Sequence, residues 1–255
     1  KEFRMKRVVF NLDPNSDPRI ILPPQPSSQF VPEWYRQGER FINKEDGSLN
    51  IPDPSLRAGG LKSCNPFLDS IIAGYIQPLS CAIEILKNDG SSNLEWRYVE
   101  LDANGEYVQV EDIGLIEERS GSIGHTVPRP HGHAQNHMVW SGHWGWKLPR
   151  GYSMIITHPM NQFQLPFTTS SGFMESDRFI AGGRIPWYIK EGWTGIIPKG
   201  TAMYQIIPVK RKKWLGVVPV NVVSKKGQFI TVKAREVLYG FYRDNLWVKK
   251  VYEME

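Results

Sequence analysis

The chain of 255 residues is 40% apolar and 12% aromatic, with nine tryptophans, which excludes a disordered or low-complexity protein and leaves ample length for a buried core. Lys and Arg outnumber Asp and Glu 31 to 26, a formal net charge of +5. Much of that surplus sits in two short runs, so a nucleotide or nucleic acid is a candidate partner through Lys210–Lys213, with Lys249–Lys250 the second run.

In chain order, KEFRMKRVVFNLD lacks the apolar core of a signal peptide, so a cytoplasmic location is expected. The next stretch, DPNSDPRIILPPQPSSQFVPEWYRQGERF, carries too many prolines for regular helix or inner strand. It predicts an extended arm over residues 1–60 with Pro32-Glu33-Trp34-Tyr35 as an anchored turn. Trp34 and Tyr35 are expected to dock on this subunit or on a neighbour, which makes them interface candidates. Cys64 and Cys81 are too few for a disulfide framework and are expected as two buried thiols. The longest apolar stretch, Ile71–Leu86, is broken by Gly74, Gln77, Pro78 and Glu84. It falls short of the roughly 20 residues of a membrane span, so no membrane partner is expected.

Phe67–Leu86 predicts a strand or short helix, a turn at Gly74 and a strand over Ser80–Leu86. Asn88-Asp89-Gly90-Ser91 is a hairpin-type turn, and Glu95–Leu101 and Tyr107–Val110 alternate as strands about the turn Asp102–Gly105. Gly124–Gly151 is loop-like and dense in His and Trp. Strands follow at Tyr152–Thr157, Phe179–Ala181, Ile185–Ile189, Gly195–Pro198 and Met203–Val209. Ala234, Val237, Leu238, Phe241, Val248 and Val251 recur at helical spacing, so residues 216–255 are expected as a helical tail. The β domain between arm and tail spans 61–215.

Within residues 148–211 the parts fall in a fixed order: Pro149-Arg150-Gly151-Tyr152, a strand ending at His158-Pro159, a polar loop, the turn GFMESDRF (172–179), a strand pair, and KGTAMYQII with Gln205 five positions after Gly200. This order resembles the deoxyuridine triphosphatase and deoxycytidine triphosphate deaminase superfamily. The wider set of Pro32–Tyr35, CNPFLDSIIAGYIQPLSC, GYSMIITHPMN and IIPKGTAMYQIIPVKRKKW resembles an uncharacterised family of tailed-phage proteins. The first resemblance implies a mainly β fold with a dUTPase-like distorted barrel or jelly-roll core at 148–211, assembled as a homotrimer. The second implies a phage origin, located in the host cytoplasm or the virion, with other virion proteins as partners.

The chain departs from the triphosphatases where chemistry is done. Glu175 stands where their turn aspartate activates water, one methylene longer, and general-base chemistry is sensitive to such displacement. Met160-Asn161-Gln162 replaces the Arg-Ser-Ser that grips phosphates. Their turn tyrosine becomes Arg178 or Phe179, and their glycine-rich closing motif has no counterpart. Glu175 and Asp177 remain the catalytic candidates, and Asn161, Gln162 and Gln205 the nucleotide-binding candidates. The turn is expected as a structural corner, with Gly172 at positive φ and both carboxylates accepting local backbone donors.

Five of the six histidines lie between His125 and His143. His131, His133 and His137 have a spacing that can hold zinc or iron, with Glu175 as a carboxylate from the facing turn. Against this stand a loop whose histidines bond backbone carbonyls while Trp140, Trp144 and Trp146 pack over the barrel, and the same tryptophans as an exposed strip that anchors an interface. No cofactor is expected on the leading reading. That reading is a non-enzymatic phage protein with a structural, assembly or host-interaction role. The alternatives are a nucleotide-binding sensor or sponge and a metal-dependent enzyme using the histidine loop.

Overall fold

The computed structural model describes residues 6–51, 53–90, 94–119, 128–216, 244 and 246–255. The chain divides into two compact units, one of residues 1–27 and 74–211 and one of residues 28–73 and 212–253. In chain order the elements are β1 (Val9–Leu12), β2 (Gln25–Pro26), α1 (Glu33–Gln37), β3 (Phe41–Asn43), β4 (Arg57–Gly59), α2 (Asn65–Ile72), β5 (Tyr75–Pro78), β6 (Ala82–Asn88), β7 (Leu94–Leu101), β8 (Tyr107–Gln109) and β9 (Ile116–Glu118). They continue with β10 (Met138–Ser141), β11 (Trp144–Lys147), β12 (Tyr152–Thr157), β13 (Phe167–Thr169), β14 (Gly172–Met174), β15 (Arg184–Ile189), β16 (Gly195–Ile197) and β17 (Ala202–Lys210).

The protein is mainly β, and its paired strands run antiparallel. In the first unit the strand orders are β1-β11, β13-β15-β10-β9, β14-β12-β17-β5-β2 and β16-β6-β7-β8. Each sheet keeps two free edges among the described residues. The expected closed barrel or jelly roll is therefore corrected to a set of open sheets. The reason lies in segment 148–211 itself. It sends β12, β14 and β17 to one sheet, β13 and β15 to a second, and pairs β16 with β6 in a third. With no closed core, the ground for a dUTPase-like trimer is gone.

The core follows from strand alternation. β17 lies at the centre of its sheet, between β12 and β5, and its residues 202–206 are buried. Trp140, Trp146, Trp187, Phe167 and Tyr204 are fully enclosed. Trp140 and Trp146 are thus core residues of β10 and β11, not an exposed strip, and the stretch read as loop holds two strands. Trp144 is only part-buried. Gly74 turns the chain into β5 at φ +66, as the sequence suggested. Phe179–Ala181 is not a strand.

In the second unit, Pro32 caps α1 in an extended conformation, so the helix starts directly after the proline, where an irregular turn was expected. Tyr35 is buried and stacks on Phe67 of α2, with ring centroids 5.9 Å apart and planes 18° from parallel. Trp34 meets the same ring edge-on at 6.2 Å. Both rings therefore pack against their own chain, Tyr35 buried and Trp34 part-buried. Asp69 of α2 accepts bonds from Trp247 Nε1 at 2.8 Å and Lys250 Nζ at 2.5 Å. Most of the expected helical tail lies outside the described residues, and the described stretch 247–255 is not helical. Cys81 is buried, but Cys64 is exposed, which corrects the expectation of two buried thiols.

Candidate functional site

The turn after β14 is built by its backbone. The amides of Arg178 and Phe179 donate to the Glu175 carbonyl at 2.9 and 3.0 Å. Ser176 is fully buried; its hydroxyl accepts from Trp146 Nε1 at 2.8 Å and its carbonyl accepts from Leu148 N–H at 3.0 Å. Asp177 accepts from the Gly151 amide at 2.7 Å and from the Arg211 guanidinium. The Arg211 bond, reinforced by the Gly151 amide, holds the Asp177 carboxyl well below the usual carboxylate range, at about 2. Arg211 also donates to Tyr152 O and Ser153 Oγ at 2.8 and 2.9 Å. Asp177 thus ties the turn to the ends of β12 and β17. Glu175 is exposed and makes no ion pair among the described residues. Gly172 is an ordinary strand residue without positive φ, which corrects that part of the expected corner.

Beside the turn lies a cleft of about 350 Å³. Ile156, Met174, Ile185 and Phe179 give it apolar walls; Ser170, Ser171, Glu175 and Arg184 give it polar ones. It sits where the chain crosses from β13 to β14, that is, from one sheet to another, through Ser170-Ser171. The crossing is held by Ser170 N–H donating to Pro186 O at 2.8 Å and by a 3.1 Å bond between the Thr157 and Ser171 hydroxyls. Arg184 pairs with Glu117 at 3.0 Å. Phe173, Phe179 and Ile180 are half exposed or more.

The nucleotide-binding candidates do come together, as parts of the fold. Gln205 is fully buried, and its Oε1 accepts from the Met160 amide at 2.8 Å. Gln162 is buried and accepts from Gln164 Nε2 at 2.6 Å. Asn161 is the one non-glycine residue at positive φ among the described residues, φ 61. The Met160–Gln162 bend is thus clamped from below by β17.

The metal candidates are not gathered. His133 bonds His131 O through Nδ1 at 3.0 Å and Thr168 Oγ1 through Nε2 at 2.9 Å. His137 lies buried and parallel to Tyr188, ring centroids 5.5 Å apart, and neither ring nitrogen has a partner. Burial first, and Arg119 second, lower its pKa. No group of three His, Cys, Asp or Glu that could hold an ion occurs among the described residues. His143 bridges Ser16 Oγ at 2.8 Å and Gly114 O at 3.0 Å, so it fastens three segments. Within Lys210–Lys213, Arg211 is committed to Asp177, which leaves three lysines at the surface.

Two polar residues that organise this region carried no signal in the sequence. Thr169 Oγ1 donates to Met203 O at 2.7 Å and accepts from Trp140 Nε1 at 3.1 Å. His158 Nδ1 accepts from the Thr169 amide at 3.3 Å. No protein-family model matches the chain, and no curated protein matches it.

Proposed function

We propose that this is a non-enzymatic interaction protein that recognises another macromolecule through the cleft beside β14. One observation carries the reading. Of the turn's two carboxylates, Asp177 is spent on Arg211 and Gly151 and Glu175 lies exposed at the cleft's rim, while the cleft has apolar walls and exposes Phe179. Exposed aromatic side chains beside a concave apolar surface are the usual anchors of protein recognition. The phage-family resemblance would make the partner another assembly component or a host factor.

The test has two arms. Pyrophosphate release from each deoxynucleoside triphosphate with magnesium should stay at background, and turnover near the typical enzyme median of about 10 per second would overturn the reading. A photoreactive residue at Phe179 should cross-link one polypeptide stoichiometrically, whereas one at the exposed Val108 of β8 should not. Equal, unselective cross-linking from both positions would refute the cleft as the recognition surface.

A further inference from the structure

We infer that His158 is an acid-sensitive latch, holding the β13–β14 crossing in place at Thr169 only while its ring is uncharged. The geometry fixes the tautomer. Nδ1 accepts the Thr169 amide at 3.3 Å, so it carries no proton. The nearby Gln162 backbone is the one influence that favours the charged ring, and burial outweighs it. One neutral imidazole, directly after β12, therefore holds the last residue of β13 through Nδ1. Phe167 packs edge-on against the ring at 6.0 Å.

A second proton has nowhere to go. It must enter on Nδ1, where it faces an amide N–H and breaks the only bond made there. The groups whose charge acts on the ring are Lys190, directly after β15, and His133, and both disfavour a charged ring. No carboxylate is among them. Burial is the largest influence and pushes the ring down to about 4. The folded value lies below the ordinary 6.5, so the fold favours the neutral ring. The latch's contribution is full above pH 6.5 and is lost as the pH falls towards 4.

What lets go is defined by the neighbours. Thr169 is followed by Ser170 and Ser171, which line the cleft, and its hydroxyl holds Trp140 to Met203. Gln162 closes the loop onto Pro159 through a 3.2 Å backbone bond. Charging His158 thus loosens the cleft's serine wall, while the loop clamped by Gln205 keeps its own bonds. The latch stands on these bonds alone, whatever the cleft recognises.

The experiment follows the His158 ring and the Thr169 amide by NMR between pH 7 and pH 4, with near- and far-ultraviolet circular dichroism. The ring should titrate near 4. Protection of the Thr169 amide and the near-ultraviolet signal should fall over the same interval while the far-ultraviolet signal persists. His158→Gln, which never charges, should show no such step. A ring value at or above 6.5, a Thr169 amide that stays protected at pH 4, or an identical step in the variant would each overturn the latch. If His158→Gln does not fold, the ring titration and the amide in the unmodified protein still decide it.

Discussion

The indoles of Trp140 and Trp187 stack face to face, their centroids 4.1 Å apart and their planes 7° from parallel. They stand diagonally across β10 and β15, in the register that sets Met138 opposite Trp187 and Trp140 opposite Ile185. Phe167 of β13 closes the group edge-on at 5.2 and 5.7 Å. Three strands are thereby fixed by three rings, with Thr169 as their polar anchor.

Truncating this group should be severe. Trp140→Ala is expected to cost about 3–5 kcal/mol in urea unfolding, the usual range for a buried tryptophan. Trp140→Phe keeps a ring but loses the bond to Thr169 Oγ1, which still donates to Met203 O, so the lost bond should cost about 0.5–1.5 kcal/mol. Adding Thr169→Val should then be non-additive, because the two share one bond. Additivity within about 0.5 kcal/mol would show that the bond is not formed.

Asp177→Asn removes the charge that ties the turn to Arg211. The carboxyl's folded value, about 2, lies below its ordinary 3.8, so the charged form is the one the fold favours. Its stabilisation is full above pH 3.8 and disappears as the pH falls from there towards 2. The unmodified protein should therefore melt higher than the variant at pH 7, and the gap should close across that acidic window. A gap of constant size would place the effect in packing.

Much of the β character was legible because it is written in alternation. Tyr152–Thr157 is a strand to the residue, and β6, β7, β15, β16 and β17 fall where apolar and polar residues alternate about Gly90, Gly105 and Gly200. The Trp-rich strands β10 and β11 were missed because glycine and histidine mask a period-2 pattern only four residues long. Sheet assignment was not legible at all. Neighbouring strands β13 and β14 join different sheets, and nothing local in Ser170-Ser171 says so. The carboxylates of the turn were visible as residue types, but Asp177's role depends on Arg211, 34 positions away. Thr169 was overlooked for the same reason, its partners Trp140 and Met203 lying 29 and 34 positions away, and His158 was read only as the end of a strand.

Gly74 and Gly105 separate two effects of replacing glycine. Both have positive φ, +66 and +81, but a Cβ on Gly74 would lie 2.0 Å from the Ile206 carbonyl oxygen, whereas one on Gly105 meets nothing within 4 Å. Gly105→Ala should cost only the roughly 1–2 kcal/mol of a left-handed alanine. Gly74→Ala must also push β5 away from β17, so its cost should exceed that clearly, with loss of soluble protein as the extreme. Equal urea midpoints for the two variants would refute the close approach.

His137 offers the opposite kind of prediction, a substitution that improves the fold. Its ring is buried flat against Tyr188, with neither nitrogen bonded, so its polar atoms lose water and gain nothing. A phenyl ring of similar shape keeps the stack and discards the unmet polar groups, an exchange that ranges from neutral to stabilising. Charge adds a pH dependence. Burial and then Arg119 lower the ring's pKa, so the fold favours the uncharged histidine, and stability is lost as the pH falls below the ordinary 6.5. His137→Phe should melt at or above the temperature of the unmodified protein at pH 8. Its advantage should widen as the pH is lowered from 6.5, because only the histidine must resist a proton. Melting curves at several pH values decide the matter. A variant that melts lower at pH 8 would mean that His137 has a polar partner after all.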